Sequence, residues 1–373
     1  MQESRDQQDK QEESFTNLVK ASSCVNPFGQ SRHPVRSSRP ALPGPIRNRP
    51  FSWLLLPIAA AAILAAGCGR PGSPERSGAA PGPVPGPVPG LAMFSASNAW
   101  SEVEAFVALG PKPAFSVAGS AAATHIESRL RAHGLEPAID VFTDLTPNGP
   151  RILRNVVAEL PGATGLVVLV SHYDTKSGIS TNFAGANDSG SSSGLLIELA
   201  RCLRGAGPLP VGVMVAFVDG EECLEAYGPR DGLHGSRRLA GRLADAKRDV
   251  LGVIVMDMIG DSDLTVTIPR NSSASLMNLA FKAAHRAGVR EKFSIADIAI
   301  VDDHVPFLQA GMRAVDLIDF HYGSTPGAND YWHTASDTMD RLSPESLSAV
   351  GRVVLHMVAD IPSHKVEDSA RTR

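Results

Sequence analysis

The feature that most constrains this chain is a series of short apolar runs, several of which are followed by acidic or histidine residues. Val, Leu and Ile dominate these runs, at 156–160, 165–170, 211–218, 251–256 and 314–318. Apolar residues at helical spacing predict helices at 98–109, 117–133, 193–203, 235–243, 274–287, 305–310 and 344–359. Strands buried on both faces that alternate with helices are typical of a sheet covered on both sides. We therefore predict an α/β fold, a three-layer sandwich with a mixed and largely parallel central sheet.

The composition excludes several classes of protein. With 43% hydrophobic and 20% charged residues among 373, the chain can bury a core of domain size. A net charge of −4 without a long basic run argues against a nucleic-acid partner. Cysteines are too few for a disulfide scaffold or a thiolate zinc cluster, and we expect Cys202 and Cys223 to be free thiols. Any metal must therefore be held by His, Asp and Glu.

The N-terminal part of the chain has the composition of a targeting segment. Residues 1–50 are polar, without apolar periodicity, and we expect a disordered leader that in one interpretation precedes the true start. The apolar run at 51–66 follows Arg47 and Arg49, which is the pattern of a signal peptide. The end of this segment, LAAGC at 64–68, resembles a bacterial lipobox. We therefore expect an exported periplasmic or cell-surface lipoprotein, anchored in the membrane through Cys68; an uncleaved membrane anchor is the alternative.

The rest of the chain divides by composition. Residues 69–94 have the Pro and Gly density of an extended linker, which includes the short repeat PGPVPGPVPG. The following residues, 95–362, carry all the strand and helix patterns, and we predict that they form one catalytic domain. A polar tail, 363–373, completes the chain.

Polar residues follow the apolar runs at five places. They are His172 to Asp174, Asn187-Asp188, Asp219 to Glu222, Asp257, and Trp332-His333. Function gathers at the carboxyl ends of parallel strands, where converging carboxylates would repel each other and lose solvation. A divalent cation would supply the missing charge, and this His, Asp and Glu inventory fits zinc.

Each cluster has an ordinary interpretation when it is taken alone. A single loop histidine or a Glu-Glu pair is more often a solvated surface feature than a metal site. The recurrence of such residues after β runs favours a shared site. Asp174 lies two residues beyond His172, on the same side of an extended chain, so we expect it to accept the other N–H of that imidazole.

These motifs resemble those of the zinc peptidase family M28 and of its relatives, the glutaminyl-peptide cyclotransferases. The similarity runs in order from about Asn155 to Val354, through HYDTK, GANDSG, DGEEC, DGLHGSRRLA, MDMIGD, DDHVPFLQAG and WHT. It implies a zinc-exopeptidase-like fold with one zinc expected. Residue by residue, the resemblance makes Asp188, Glu222 and His333 the zinc ligands. It makes Glu221 the general acid/base, with Asp257 and Asp302 as its hydrogen-bonded partners.

The two branches of this resemblance differ in metal count and in a few residues. In the peptidase branch, positions matching His172 and Asp257 hold a second zinc, so two ions are the alternative here. Peptidases typically have Ser-Asp-His where this chain has an extra acid, Asp302, before Asp303-His304. Trp332 is a second cyclase-like residue, which would wall a small pocket for a glutamine side chain. The segment HTASDTMDRL at 333–342 is instead more similar to bacterial peptidases.

The resemblance implies a zinc-dependent glutaminyl-peptide cyclotransferase, which converts the N-terminal glutamine of a peptide to pyroglutamate with loss of ammonia. One alternative is an M28-type aminopeptidase that hydrolyses the first peptide bond. The other is a surface-anchored peptide-binding module without catalysis, which the presence of Glu221 disfavours. The expected partners are peptide or protein N-termini, without nucleic acid, and we expect a monomer.

Overall fold

The fold is that of a computed structural model, which describes residues 87–362. The expected leader at 1–50, the signal peptide at 51–68, most of the linker at 69–94 and the tail at 363–373 lie outside this range. Within 87–362, no helix combines the length and hydrophobicity that crossing a bilayer requires.

A six-stranded mixed sheet forms the middle of the domain. In chain order its strands are β1 (Ala138–Thr146), β2 (Gly149–Leu160), β3 (Gly162–His172), β4 (Leu209–Val218), β5 (Val250–Asp257) and β8 (Ala314–Ile318). Their order across the sheet is β1-β2-β4-β3-β5-β8. The last four of these are parallel, while β2 runs antiparallel to both of its neighbours. Two short strands, β6 (Val266–Ile268) and β7 (Phe293–Ile295), pair separately.

Seven α-helices accompany the sheet within the described range. They are α1 (Ala96–Val107), α2 (Val117–Ala132), α3 (Ser192–Gly205), α4 (His234–Asp245), α5 (Ala274–Ala287), α6 (His304–Gln309) and α7 (Pro344–Asp360). Residues of α1, α2, α3, α5 and α7 share one apolar core with one face of the sheet, and residues of α4 and α6 share another with the opposite face. Alternate residues of β3 divide between the cores, because successive side chains of a strand point to opposite faces. The predicted three-layer sandwich is confirmed.

Two features of the fold differ from the sequence prediction. The predicted strand at 156–160 is the second half of β2, which forms a hairpin with the unpredicted strand β1. Strand β1 is at the edge of the sheet and intersperses exposed residues with half-buried and buried ones, so it lacks the apolar run that marks the other strands. The packed domain also begins earlier than residue 95, because Val88, Leu91 and Phe94 pack against the larger core.

An ion pair between a buried glutamate and a more exposed arginine joins the first two helices and makes stability depend on pH. Glu102 of α1 accepts hydrogen bonds of 2.9 and 2.5 Å from the guanidinium of Arg129 in α2. Burial raises the pKa of Glu102, but the hydrogen bonds and the charge of Arg129 more than offset this, and the pKa is lowered. An acid whose pKa falls on folding stabilises the fold above its ordinary pKa, and that stability is lost as the pH falls.

We expect Glu102→Gln to reduce the free energy of unfolding at pH 7 by about 1–2 kcal/mol, since a hydrogen bond to a charged group is lost. The difference from the native chain should shrink at acid pH, where Glu102 is protonated in both folded and unfolded chains. Urea denaturation at pH 7 and at an acid pH below the lowered pKa of Glu102 measures both quantities. The matched change Glu104→Gln, at an exposed site on the same helix, should have little effect at either pH. A loss of equal size at both pH values would contradict the prediction.

Candidate active site

The predicted site residues gather at the carboxyl edge of the sheet. His172 ends β3 and Asp257 ends β5, while Glu221 and Glu222 follow β4 in the loop before α4. Asp188 lies in the helical turn Ala186–Ser191 that leads into α3, and the Asp188–Ser189 peptide bond is cis. The loop that follows β8 contributes another residue, His333. The edge position arises because parallel strands bring their carboxyl ends to one side of a sheet.

The first group of candidate metal ligands is Asp188, Glu222 and His333. His333 Nε2 lies 3.3 Å from Asp188 Oδ2 and 3.1 Å from Glu222 Oε1, and the three ligand atoms are all within 4.8 Å of one another. For zinc with bonds of about 2.0–2.1 Å, the edge of a ligand tetrahedron is about 3.3 Å. The donor set therefore has the spacing of a three-residue zinc site that keeps a fourth position for water or substrate.

A second group shares one residue with the first. His172 Nε2 lies 3.2 Å from Asp188 Oδ1 and 3.3 Å from Asp257 Oδ1. Asp188 therefore directs one carboxylate oxygen to each group. All residues of both groups are buried except His333, which is partly exposed. The chain thus brings together the donors for one ion and, through the shared Asp188, for two.

The electrostatics of these groups also fit a bound cation. Burial raises the pKa values of Glu222 and Asp257, and the neighbouring Asp188 charge adds to both increases. Burial lowers the pKa of His333, but the adjacent carboxylates of Asp188 and Glu222 outweigh this and raise it to about 9. These carboxylates thus attract positive charge to the position between them. A divalent cation held there would balance the negative charge of the carboxylates and allow the histidine nitrogens to act as ligands.

Asp174 supports the site in a different way from the one expected. Its Oδ1 lies 3.6 Å from His172 Nδ1, which is longer than a hydrogen bond. The Asp174 carboxylate instead accepts the backbone N–H groups of Glu221 and Glu222, at 3.1 and 3.2 Å. Asp174 therefore fixes the main chain that carries the proposed base and one metal ligand, and the imidazole is a more distant neighbour.

Residues that the sequence analysis missed hold Asp188 in place. The Asp337 carboxylate accepts the backbone N–H groups of Asn187 and Asp188 at 2.7 and 3.2 Å, and the Tyr322 hydroxyl donates to Asp337 Oδ1 at 2.9 Å. The fully buried Lys112 donates through Nζ to the carbonyl of Ala184, at the start of the same turn. Asp337 lies three residues beyond the WHT motif, but no local pattern around Asp337 or Asp188 indicated this contact.

Lys176, at the end of the HYDTK motif, is a further contact of the site that the sequence analysis did not assign. Its Nζ lies 3.4 Å from Glu222 Oε2 and donates a hydrogen bond of 2.6 Å to the carbonyl of Cys223. The side chain therefore steadies the ligand glutamate through its charge and the following residue through its hydrogen bond. Cys223 and Cys202 are both buried free thiols, as expected.

The expected acid/base and its acidic partners are all buried. The predicted hydrogen bonds from Asp257 and Asp302 to Glu221 are wrong for the described residues: Asp257 Oδ1 lies against His172 Nε2, and Asp302 Oδ1 accepts the backbone N–H of Asp303. Burial raises the pKa of Glu221 well above its usual range, and the negative charges of Glu222 and Asp302 raise it further, against the opposing charge of His172. Burial and the Asp257 charge raise the pKa of Asp302 in the same way. Glu221 is not a member of either metal-ligand group. It is therefore a buried proton-binding group that stands beside the candidate metal position.

Asp302 belongs to a third cluster of buried polar side chains. Ligand atoms of Asp302, His304 and Asp316 lie within 4.8 Å of one another. Asp316 is in the middle of β8, where the sequence analysis read only an apolar strand. Its pKa is raised by burial and then by the charges of Asp302 and Asp257. The acidic network beside the metal position is therefore larger than the predicted pair Asp257 and Asp302.

Trp332 lies directly against one of the candidate ligands. Its ring stacks on the His333 imidazole with centroids 4.1 Å apart and an interplanar angle of 25°, and it also contacts Phe320 at 5.2 Å. His333 has a positive φ of 53°, a strained conformation that is typical of functional sites for a residue other than glycine. The indole therefore lies directly beside the candidate metal ligand, and its predicted role as the wall of a glutamine pocket stays a prediction.

The fold and the paired ligand groups define the class of protein: an α/β protein built like the zinc exopeptidases. The model of peptidase family M28 matches residues 155–358, more than half of the chain. The chain belongs to peptidase family M28. The predicted relationship is thus confirmed, and the match supports an enzyme.

The chain is also similar to individual proteins, whose names are more specific than the name of the family. A glutaminyl-peptide cyclotransferase-like protein of Bos taurus is 31% identical over 63% of this chain and 68% of its own length. The crystal structure of an Acidobacteriales bacterium glutaminyl cyclase is also 31% identical, with a TM-score of 0.66, and covers 76% of this chain and 98% of the other. A Zn-dependent exopeptidase from Parabacteroides distasonis is 25% identical with a TM-score of 0.64, covering 72% and 98% of the two chains.

Proposed function

We propose that this enzyme is a zinc-dependent glutaminyl-peptide cyclotransferase, which acts on the N-terminal glutamine of peptides or proteins. The observation that carries the proposal is the buried Asp302 carboxylate, an acid where the peptidase motif has serine, close enough to Asp257 for that charge to raise its pKa. Relatives named as glutaminyl cyclases in both sequence and structure support the same choice. We propose that the catalytic zinc is held by Asp188, Glu222 and His333.

The reaction closes a five-membered ring within the first residue of the substrate. When bound, zinc supplies a Lewis acid for the oxygen of the γ-carboxamide. Glu221 accepts a proton from the α-amine as its nitrogen forms a bond to the carboxamide carbon. Glu221 then returns the proton to the departing nitrogen, so that the C–N bond breaks and ammonia leaves. The attacking amine is part of the substrate, which gives ring closure the advantage of an intramolecular reaction.

The remaining residues serve this proton transfer. Asp257 and Asp302 are buried acids, and the charge of Asp257 raises the pKa of Asp302 beyond the effect of burial. Two such groups retain one proton between them more easily than they ionise together. They therefore stay partly neutral beside Glu221 and allow it to alternate between base and acid. Trp332 encloses the short glutamine side chain and excludes water from the carboxamide carbon.

A second candidate function is favoured by the second ligand group. His172, Asp188 and Asp257 have the spacing for another ion, as in a two-zinc aminopeptidase. Glu221 would then deprotonate an attacking water, and the first peptide bond would break. The same base serves both reactions. The occupant of the attacking position, water or the substrate's own amine, decides between them.

Mass spectrometry of products distinguishes the two functions. The full chain, loaded with zinc, is incubated with a peptide that begins with Gln and with a matched peptide that begins with Leu. Loss of ammonia from the first peptide alone supports the cyclotransferase. Release of the first residue from the second peptide supports the aminopeptidase, and no change in either would contradict both proposals.

We further propose that the enzyme is exported and anchored as a lipoprotein through Cys68, and that it acts as a monomer on peptide N-termini outside the cytoplasm. The support is the sequence pattern that ends in LAAGC, together with the linker after it. We expect Cys68→Ser to prevent lipid attachment, so that the enzyme moves from the membrane fraction of a bacterial host to the soluble fraction. Cell fractionation with immunoblotting measures this, and an unchanged membrane association would contradict lipid attachment at Cys68.

A further inference from the structure

A tyrosine in the loop between β4 and α4 reaches the glutamate that we assign as the acid/base. The Tyr227 hydroxyl donates a hydrogen bond of 2.8 Å to Glu221 Oε1. Within residues 87–362 this is the one hydrogen bond made to the Glu221 side chain. One oxygen of the carboxylate is therefore engaged, and the other, Oε2, makes no such bond to the protein.

The ring of Tyr227 is held by its own loop. A Cβ atom on Gly232 would lie 2.5 Å from Cδ1 of Tyr227, so the ring packs directly on the glycine backbone. Gly232 also has a φ of 73°, which glycine adopts without strain. The Asp231 carboxylate closes the preceding turn by accepting the backbone N–H groups, at 2.6, 2.8 and 3.0 Å, of Leu224, Glu225 and Ala226.

Further hydrogen bonds join this loop to α4 and close it on itself. The guanidinium of Arg237 donates to the carbonyls of Gly228 and Gly232, at 3.1 and 2.5 Å. Gly228 and Asp231 also exchange backbone hydrogen bonds of 2.9 and 3.2 Å. The chain is thus fixed on the C-terminal side of Tyr227, and the hydroxyl is presented to Glu221 by a supported loop. Catalytic groups that are held in this way retain their geometry without ordering at the moment of reaction.

We propose that Tyr227 is a positioning residue, whose hydroxyl holds Glu221 Oε1 so that Oε2 is directed to the reacting nitrogen. This inference rests on the proposed role of Glu221 as the proton carrier. A general base must lie within hydrogen-bond reach of the proton that it takes, and a long glutamate side chain without an anchor samples several rotamers. Burial raises the pKa of Tyr227 well above its ordinary value, so the phenol keeps its proton and acts only as a donor.

The direct test is Tyr227→Phe, which removes one oxygen atom and keeps the ring on Gly232. We expect kcat to fall by about 10- to 100-fold, the size associated with a hydrogen bond to a charged group, while KM changes by less than about twofold. Zinc content and melting temperature should remain those of the native enzyme. An unchanged kcat, or a loss that appears only in KM, would overturn the proposal.

Thr124→Val is the control, because it removes a hydroxyl at an exposed site of α2, where it donates to the carbonyl of Ser120 at 3.1 Å. Its kcat should stay close to that of the native enzyme. A double-mutant cycle adds a second check. In a Glu221→Asp background the shorter carboxylate no longer reaches the phenol, so Tyr227→Phe should have little further effect. A full effect in that background would mean that Tyr227 does not act through Glu221.

The experiments can tell a failure of the Tyr227 proposal from a failure of the proposed function. Rates are measured with whichever of the Gln-initiated and Leu-initiated peptides is consumed, because Glu221 carries the proton in both reactions. If neither is consumed, the proposed function fails, and the near-ultraviolet tyrosine absorption still reports the hydrogen bond. Glu221→Ala, which removes the acceptor, should then shift one tyrosine band in the native background and shift none in Tyr227→Phe. Identical spectra of native and Glu221→Ala chains would overturn the positioning role.

Discussion

Replacing Glu221 with glutamine is expected to abolish turnover while zinc stays bound. The amide keeps the shape of the side chain and can still accept a hydrogen bond from Tyr227, but it cannot take a proton from the substrate amine. Loss of a general acid/base lowers rates by about 10²- to 10⁴-fold, so we expect kcat to fall at least into that range. Product mass spectrometry measures the rate, and metal analysis of the dialysed chain measures zinc.

The control for this variant is the same chemical change at Glu225, an exposed glutamate in the same loop. Glu225→Gln should retain both activity and zinc. If Glu221→Gln were to retain turnover, Glu221 would not be the proton carrier, and the assignment of Tyr227 would fall with it. If it were to lose zinc as well as activity, Glu221 would be a ligand, contrary to its position outside both ligand groups.

Replacing Asp188 with asparagine is expected to remove zinc and activity together. Asp188 directs one oxygen to His333 and the other to His172, so no other residue of the site serves both ligand groups. Even residues that only orient a metal ligand change affinity by about 10- to 100-fold, and we expect the loss of this ligand to exceed 100-fold. Competition for zinc with a chromogenic chelator measures the affinity without requiring turnover.

Asp297→Asn, at a fully exposed site remote from the ligand groups, is the control and should bind zinc as the native chain does. For the native chain, we expect one zinc per protein, chelation to stop turnover and added zinc to restore it. Native zinc affinity in Asp188→Asn would contradict the ligand assignment. Turnover that survives complete removal of the metal would contradict metal dependence itself.

The local patterns of the sequence predicted the main elements of the fold well. The parallel strands β3, β4, β5 and β8 were each predicted within a few residues, because strands buried on both faces are written as continuous apolar runs. The edge strand β1 was missed, since half of its side chains face solvent and its pattern resembles that of a loop. A strand that is buried on both faces can therefore be predicted from a single sequence, whereas a strand that is paired but half-exposed carries no such pattern.

The sequence alone determined which chemical groups stand at three strand ends, at His172, at Glu221 and at Asp257, because these residues end an apolar run or closely follow one. It also limited any metal to His, Asp and Glu ligands. Only the tertiary structure decided that Asp188 reaches both ligand groups, that Asp337 orients it, and that Tyr227 holds Glu221. These contacts join loops that are separated in the chain, and their distances depend on how the strands and helices pack rather than on any local pattern of residues.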